Sequence, residues 1–213
     1  KEADTYGFDG FNLDFESLKA EAGPHYVQFI REMSVACRKK GLVLSVDNYV
    51  PSAYTAFYNR REQGIVADYV IVMGYDEHYA GGEAGPVASL PYVEKGIADT
   101  LKEVPKEKVI NSVPFYTRIW TEKDGKTTSK AYGIRDAKNW IKENNIELEW
   151  QDDLGVYYGE SSNENGVQSV WMEEEKSLGL KVDLINEYDL VGAACWKLGF
   201  EDRSIWEIVS QVK

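Results

Sequence analysis

Apolar and polar residues alternate through "FDGFNLDFE" (8–16), where Phe11, Leu13 and Phe15 are interleaved with Asn12, Asp14 and Glu16. A period of two predicts a strand with one apolar and one polar face. The period then changes: in "PHYVQFIREMSVACRKKG", Val27, Ile30, Met33, Ala36 and Cys37 recur at helical spacing and stop at Gly41. "LVLSV" (42–46) reads as a second strand and leads through Pro51 and Ser52 into a predicted helix from Tyr54 to Gly64. "ADYVIVMGYD" (67–76) is an almost continuous apolar run, and "SLPYVEKGIADTLKEV" (89–104) reads as a helix with Ser89 as its N-cap. "KVINSVPFY" (108–116) and "YDLVGAACW" (188–196) are a fourth and a fifth run, after which Asp202 is expected to cap a last amphipathic helix, "RSIWEIVSQV". Strands that alternate with helices and are apolar on both faces predict an α/β fold, a parallel sheet covered by helices.

One segment departs from this rhythm. Between Thr117 and Asp189 lie a helical stretch, "AYGIRDAKNWIKENN", and two alternating runs around the polar turn "SSNENG", which predict an antiparallel hairpin. A helix near Glu173 to Tyr188 then returns the chain to the sheet. With no linker of biased composition and no internal repeat, one domain with an α+β insertion at about 117–172 is the simplest division.

Composition narrows the range of functions. The 213 residues are 43% hydrophobic, enough for one sizeable core. Lys plus Arg number 24 against 36 Asp plus Glu, a net charge of -12, so nucleic acid is repelled over most of the surface. No apolar run approaches the roughly 20 residues of a membrane helix, and "KEADTYGFDG" lacks the apolar core of a signal peptide. Cys37 and Cys195 fall in apolar patterns at a spacing that matches no redox or metal motif, and are expected to be separate thiols.

The first strand carries candidate chemistry. Side chains at i and i+2 lie on one face, roughly 6.5 to 7 Å apart along the chain. Asn12, Asp14 and Glu16 therefore share a face, opposite Phe11, Leu13 and Phe15. In a closed parallel barrel that row points inward, with Glu16 nearest the C-terminal mouth where such barrels keep their active sites. Two carboxylates in a partly dry pocket resist joint ionisation, so one is expected to hold a proton near neutral pH and act as an acid. A calcium loop also repeats acids at alternate positions. It requires a glycine at the sixth position and few bulky residues between ligands, and the stretch meets neither condition. The other runs add Met73, Tyr75 and Asp76, then Tyr116 and Arg118, then Trp196, all at strand ends. Together these describe a pocket with an aromatic floor and a hydrogen-bonding rim, suited to a sugar ring.

These residues resemble a known family, the family 18 glycoside hydrolases, which include chitinases and bacterial cell-wall N-acetylglucosaminidases. The family's Asp-x-x-Asp-x-Asp-x-Glu appears as Asp9, Asn12, Asp14 and Glu16; its Met-x-Tyr-Asp as Met73, Gly74, Tyr75 and Asp76; its Pro-x-Tyr-x-Arg as Pro114, Tyr116 and Arg118; and its last-strand Trp as Trp196. "MGYDEHYAGGEAGPVASLPYVEKGI" and "CWKLGFED" are similar to the spore-cortex and peptidoglycan-cleaving branch. The resemblance implies a partial (β/α)8 TIM barrel comprising the family's strands four to eight, with the insertion before the last strand. It also implies retaining, substrate-assisted hydrolysis with no metal or organic cofactor, an exception to the two-carboxylate pattern. Glu16 would be the acid and then the base, while Asp14 would orient the 2-acetamido group and Tyr75 would bond its oxygen. Asn12, Met73, Asp76, Tyr116, Arg118 and Trp196 would bind the sugar. The implied partner is an N-acetylated polysaccharide, peptidoglycan or chitin oligomers, and the implied setting is secreted, cell-wall or spore-associated.

Two departures qualify the match. Asn12 replaces the family's second Asp and cannot share a proton with Asp14. A complete barrel also needs ~250 residues. The expectation is therefore the C-terminal part of a longer protein, or partial barrels that self-associate over their open edges. A non-catalytic glycan-binding module and a structural partner domain are the competing readings. A nucleotide-binding domain would show G-x-G-x-x-G or a P-loop, and the chain has neither.

Overall fold

The structure is a computed structural model describing residues 1–164 and 166–213. A short helix, α1 (Glu2–Tyr6), precedes strand β1 (Gly10–Leu13), helix α2 (Gly23–Arg38) and strand β2 (Val43–Tyr49). Helix α3 (Arg60–Val66), strand β3 (Tyr69–Met73), helix α4 (Leu90–Leu101) and strand β4 (Val109–Pro114) follow. The chain then leaves the sheet through β5 (Tyr116–Lys123), β6 (Lys126–Gly133), α5 (Ile134–Glu143), β7 (Glu149–Gln151), β8 (Val156–Asn163) and β9 (Gly166–Met172). It returns through α6 (Glu175–Glu187) to β10 (Gly192–Trp196) and ends in α7 (Ile205–Val209).

Five strands pair in the order β1-β2-β3-β4-β10, all parallel, as the half-barrel of a partial TIM barrel. The register pairs Asn12 with Ser45, Asp47 with Ile71, Tyr49 with Met73, Met73 with Ser112, and Ser112 with Ala194. In a parallel ladder such partners project to the same side. One face therefore carries Asn12, Asp47, Tyr49, Met73 and Trp196, and the other carries Leu13, Leu44, Val46, Val70, Val72, Val109 and Val113. Every one of the latter is buried. Helix α2 covers β1 and β2 with Tyr26, Ile30 and Cys37, while α4 and α6 cover β3 and β4 with Val93, Ile97, Leu178 and Ile185. Ser89 caps α4 by accepting from the Tyr92 amide.

The excursion is a second sheet, antiparallel, in the order β6-β5-β9-β8-β7. It is larger than the expected hairpin. The pair β8 and β9 occupies the two alternating runs, and the Asn165 of their "SSNENG" turn lies outside the described residues. The β5–β6 hairpin adds a pair that turns through Asp124 and Gly125, both at positive φ (52° and 72°). The expected helix over 131–145 is correspondingly strand as far as Gly133. Beneath this region Glu173 and Lys181, both fully buried, form an ion pair at 3.0 Å, and Ser177 donates to the same Glu173 oxygen at 2.8 Å.

Other boundaries also move. Strand β1 stops at Leu13, so Asp14 and Glu16 stand on the loop beyond it, and Ser17 turns that loop at φ 55°. The expected helix 54–64 is a 3-10 turn, Ala53–Tyr58, followed by α3, broken where Asn59 takes φ 54° and caps α3 through the Glu62 amide. Asp202 does not cap the last helix. It accepts from Lys138 at 3.1 Å, and Ser204 precedes α7.

Candidate active site

A cavity of about 320 Å³ opens at the C-terminal ends of the parallel strands. Its wall brings together all nine residues singled out from the sequence: Asn12, Asp14, Glu16, Met73, Tyr75, Asp76, Tyr116, Arg118 and Trp196. They arrive by different routes. Asn12, Met73 and Trp196 project from strands; Asp14, Glu16, Tyr75 and Asp76 stand on the loops just past β1 and β3; Tyr116 and Arg118 begin the insertion sheet. Asp76 takes φ 57°, a left-handed turn that Asp tolerates better than most residues.

Glu16 is held from two sides. The Tyr49 hydroxyl donates to Glu16 Oε2 at 3.0 Å and accepts from the Ser17 amide at 3.1 Å. Buried Tyr58 donates to the Phe15 carbonyl at 3.1 Å and accepts from the Leu18 amide at 3.4 Å. Two phenols thus pin the loop on either side of the acid. Behind them Arg60, itself buried, donates to the Tyr49 carbonyl at 3.0 Å and to Thr55 Oγ1 at 2.7 Å. A charged donor of this kind fixes its acceptors more firmly than a neutral one.

The floor is aromatic. Trp196 meets Tyr116 edge-on at 5.2 Å and Phe200 at 5.4 Å, and 42% of its surface remains exposed. Tyr75 lies 6.0 Å from Tyr116, edge to face. The Tyr116 hydroxyl makes a short hydrogen bond to Asp76 Oδ1. Burial pushes both phenols upward, with Asp76 adding to the effect on Tyr116, so each keeps its proton as a donor.

The sequence reading missed Asp47, Tyr49 and Ser112, which also line the cavity. Asp47 Oδ2 accepts from the Asn12 amide at 2.8 Å, and Asn12 Oδ1 accepts from Ser45 at 2.7 Å. Burial pushes the Asp47 carboxyl up to about 6; the Asn12 bond opposes that rise, and the charges of Asp14 and Glu16 reinforce it. The signal was present in "LVLSVDNY", since Ser45, Asp47 and Tyr49 continue the alternation past the expected strand end at Val46. Four carboxyl groups, Asp14, Glu16, Asp47 and Asp76, face a single cation, Arg118, among the described lining residues. Such a wall disfavours phosphate or sulfate groups and favours a neutral ligand that gains positive charge as it reacts.

Comparison with known proteins identifies the family. The family model described as "Glycosyl hydrolases family 18" matches residues 1–201. The chain belongs to that family. Among curated relatives, it is 30% identical to "Uncharacterized glycosylase YvbX" of Bacillus subtilis (strain 168), an alignment covering 97% of the chain and 62% of that protein. It is 28% identical to the "Cortical fragment-lytic enzyme" of the same organism, over 98% of the chain and 50% of the relative. The chain thus spans between half and two thirds of the length of these relatives. Among solved structures, the chitinase from Chromobacterium violaceum ATCC 12472 superposes with a TM-score of 0.93 at 28% identity, over 99% of this chain and 68% of that one.

Proposed function

We propose that this family 18 cavity hydrolyses β-1,4 glycosidic bonds next to N-acetylglucosamine in peptidoglycan or chitin-like glycans, with retention of configuration. The observation that carries the reading is the placement of Glu16. Its carboxyl is fastened by Tyr49 at the mouth of a cavity shared with Asp14, Tyr75 and Trp196. Glu16 gives its proton to the glycosidic oxygen as the bond to the anomeric carbon breaks. The carbonyl oxygen of the substrate's own 2-acetamido group closes on that carbon, forming an oxazolinium ion. A neighbouring group of this kind reaches an effective concentration no dissolved nucleophile attains, so a protein nucleophile is unnecessary. Asp14 holds the acetamido N–H and faces the positive charge, Tyr75 donates to the acetamido oxygen, and Trp196 lies under the ring. Glu16 then takes a proton from water as the water opens the oxazolinium, restoring the acid. Asn12, Asp76, Tyr116 and Arg118 hold the ring's hydroxyls, and Met73 packs beside it.

The names of the Bacillus relatives support a cell-wall or spore-cortex substrate, and no helix among the described residues is long and apolar enough to cross a membrane. The test is product analysis by mass spectrometry after incubation with chitin oligomers and with purified peptidoglycan. The unmutated chain should release a new reducing end at N-acetylglucosamine. Glu16→Gln should bind the same oligomers with turnover reduced about 10²- to 10⁴-fold, the range of a positioned general acid. Binding without cleavage by the unmutated chain would assign it instead as a glycan-binding module.

A further inference from the structure

Asp47 lines the cavity, yet the reaction above gives it no task. It projects from the middle of β2, with Oδ2 on the Asn12 amide and Oδ1 buried without a hydrogen-bond partner. A carboxylate oxygen left unpaired away from water is unfavourable, and such sites persist chiefly where they serve a function. The surrounding groups are Asp14 and Glu16 beyond β1, Tyr26 from α2, Tyr49 from β2 and Tyr75 beyond β3; Asp76 and Arg118 also face the same cavity. With Oδ1 buried and Oδ2 engaged by Asn12, Asp47 acts through its neighbours and through its charge. The route is short. Ser45 donates to Asn12 Oδ1, which orients the amide so that its N–H faces Asp47.

Resting on the reaction proposed above, we propose that Asp47 is a positioning residue whose ionised carboxylate locks the Asn12 amide beside Asp14 and stabilises the positive charge developing on the sugar. Burial and like charge hold its proton to about pH 6, so this help is present above that pH and fades below it. Asp47→Asn keeps the shape and can still accept from Asn12, but it removes the charge.

Two measurements on the full chain decide the matter. In steady-state kinetics on a chitin oligomer, Asp47→Asn should lower kcat about 10- to 100-fold with KM little changed, comparable to loss of one electrostatic contact. It should also erase an inflection near pH 6, and Asp47→Glu should restore part of that inflection. In calorimetry, a cationic N-acetylglucosamine-derived amidine should bind the unmutated chain more weakly as pH falls through about 6, and bind Asp47→Asn with no such dependence. Unchanged kcat and pH profile in Asp47→Asn, an effect on KM alone, or amidine binding that keeps its pH dependence in Asp47→Asn would overturn the assignment. Full turnover by Glu16→Gln would instead overturn the reaction, while the amidine titration would still judge Asp47.

Discussion

If burial rather than a specific contact holds the Asp47 proton, Asp47→Asn should make the protein more stable. A carboxyl held near 6 instead of its ordinary 3.8 corresponds to a folded state that penalises the charged form. At about 1.4 kcal/mol per pH unit the full penalty is about 3 kcal/mol, and solvent screening of a partly buried group leaves about 1–2 kcal/mol. The sign follows from proton linkage. Below about 3.8 the group is neutral in folded and unfolded chains alike; between there and about 6 the unfolded chain ionises first; above about 6 the whole penalty applies. Asp47→Asn should therefore raise Tm at pH 8 by about 2–8 °C, on the usual scaling for a domain of this size. The gain should shrink as pH falls and vanish near pH 4. Thermal melts by circular dichroism at pH 4, 5, 6 and 8 are sufficient. A gain independent of pH, or no gain at pH 8, would refute the argument, because neither can arise from a desolvated charge.

Three further outcomes follow from contacts elsewhere. Tyr49→Phe removes the donor to Glu16 and the acceptor for Ser17; kcat should fall about 10-fold, about 1.4 kcal/mol of barrier, with Tm nearly unchanged, as steady-state assays and melts would record. Lys181→Met leaves Glu173 buried without its counter-charge. It should cost about 3–5 kcal/mol in urea denaturation, and Lys181→Met with Glu173→Leu should recover most of it. Gly10→Ala places a methyl 2.4 Å from the Val43 carbonyl oxygen. It should loosen β1 from β2 by about 1–3 kcal/mol, seen as faster amide exchange at Val43, which donates to the Asp9 carbonyl, and at Ser45 on the same side of β2.

The parallel half of the fold was legible because its strands are buried on the helix-covered face and its helices have a single apolar stripe. Val70, Val72, Ile97 and Leu178 announce their environment by period alone. The residues gathered around the cavity were legible in part for a simpler reason: polar side chains at the ends of apolar runs have few other places to go. Asp47 and Tyr49 escaped notice because the apolar run stops at Val46 and the expected strand stopped with it, whereas the ladder to β3 carries the strand through both residues. The β5–β6 hairpin was missed because "TEKDGKTTSK" is polar throughout and shows no buried face. Its Asp-Gly pair was the available clue, since both residues adopt the left-handed turn that closes the hairpin. Loop positions such as Glu16 depend on contacts made by residues more than thirty positions later, and no local pattern encodes those.

The clamp around Glu16 has a practical consequence for engineering. Thr55 and Arg60 lie outside the cavity, yet through Tyr49 they govern where the acid points. On the proposed reaction, libraries meant to tune the rate of this centre should therefore sample Thr55 and Arg60, where leverage on the proposed acid is gained without altering a residue that lines the cavity.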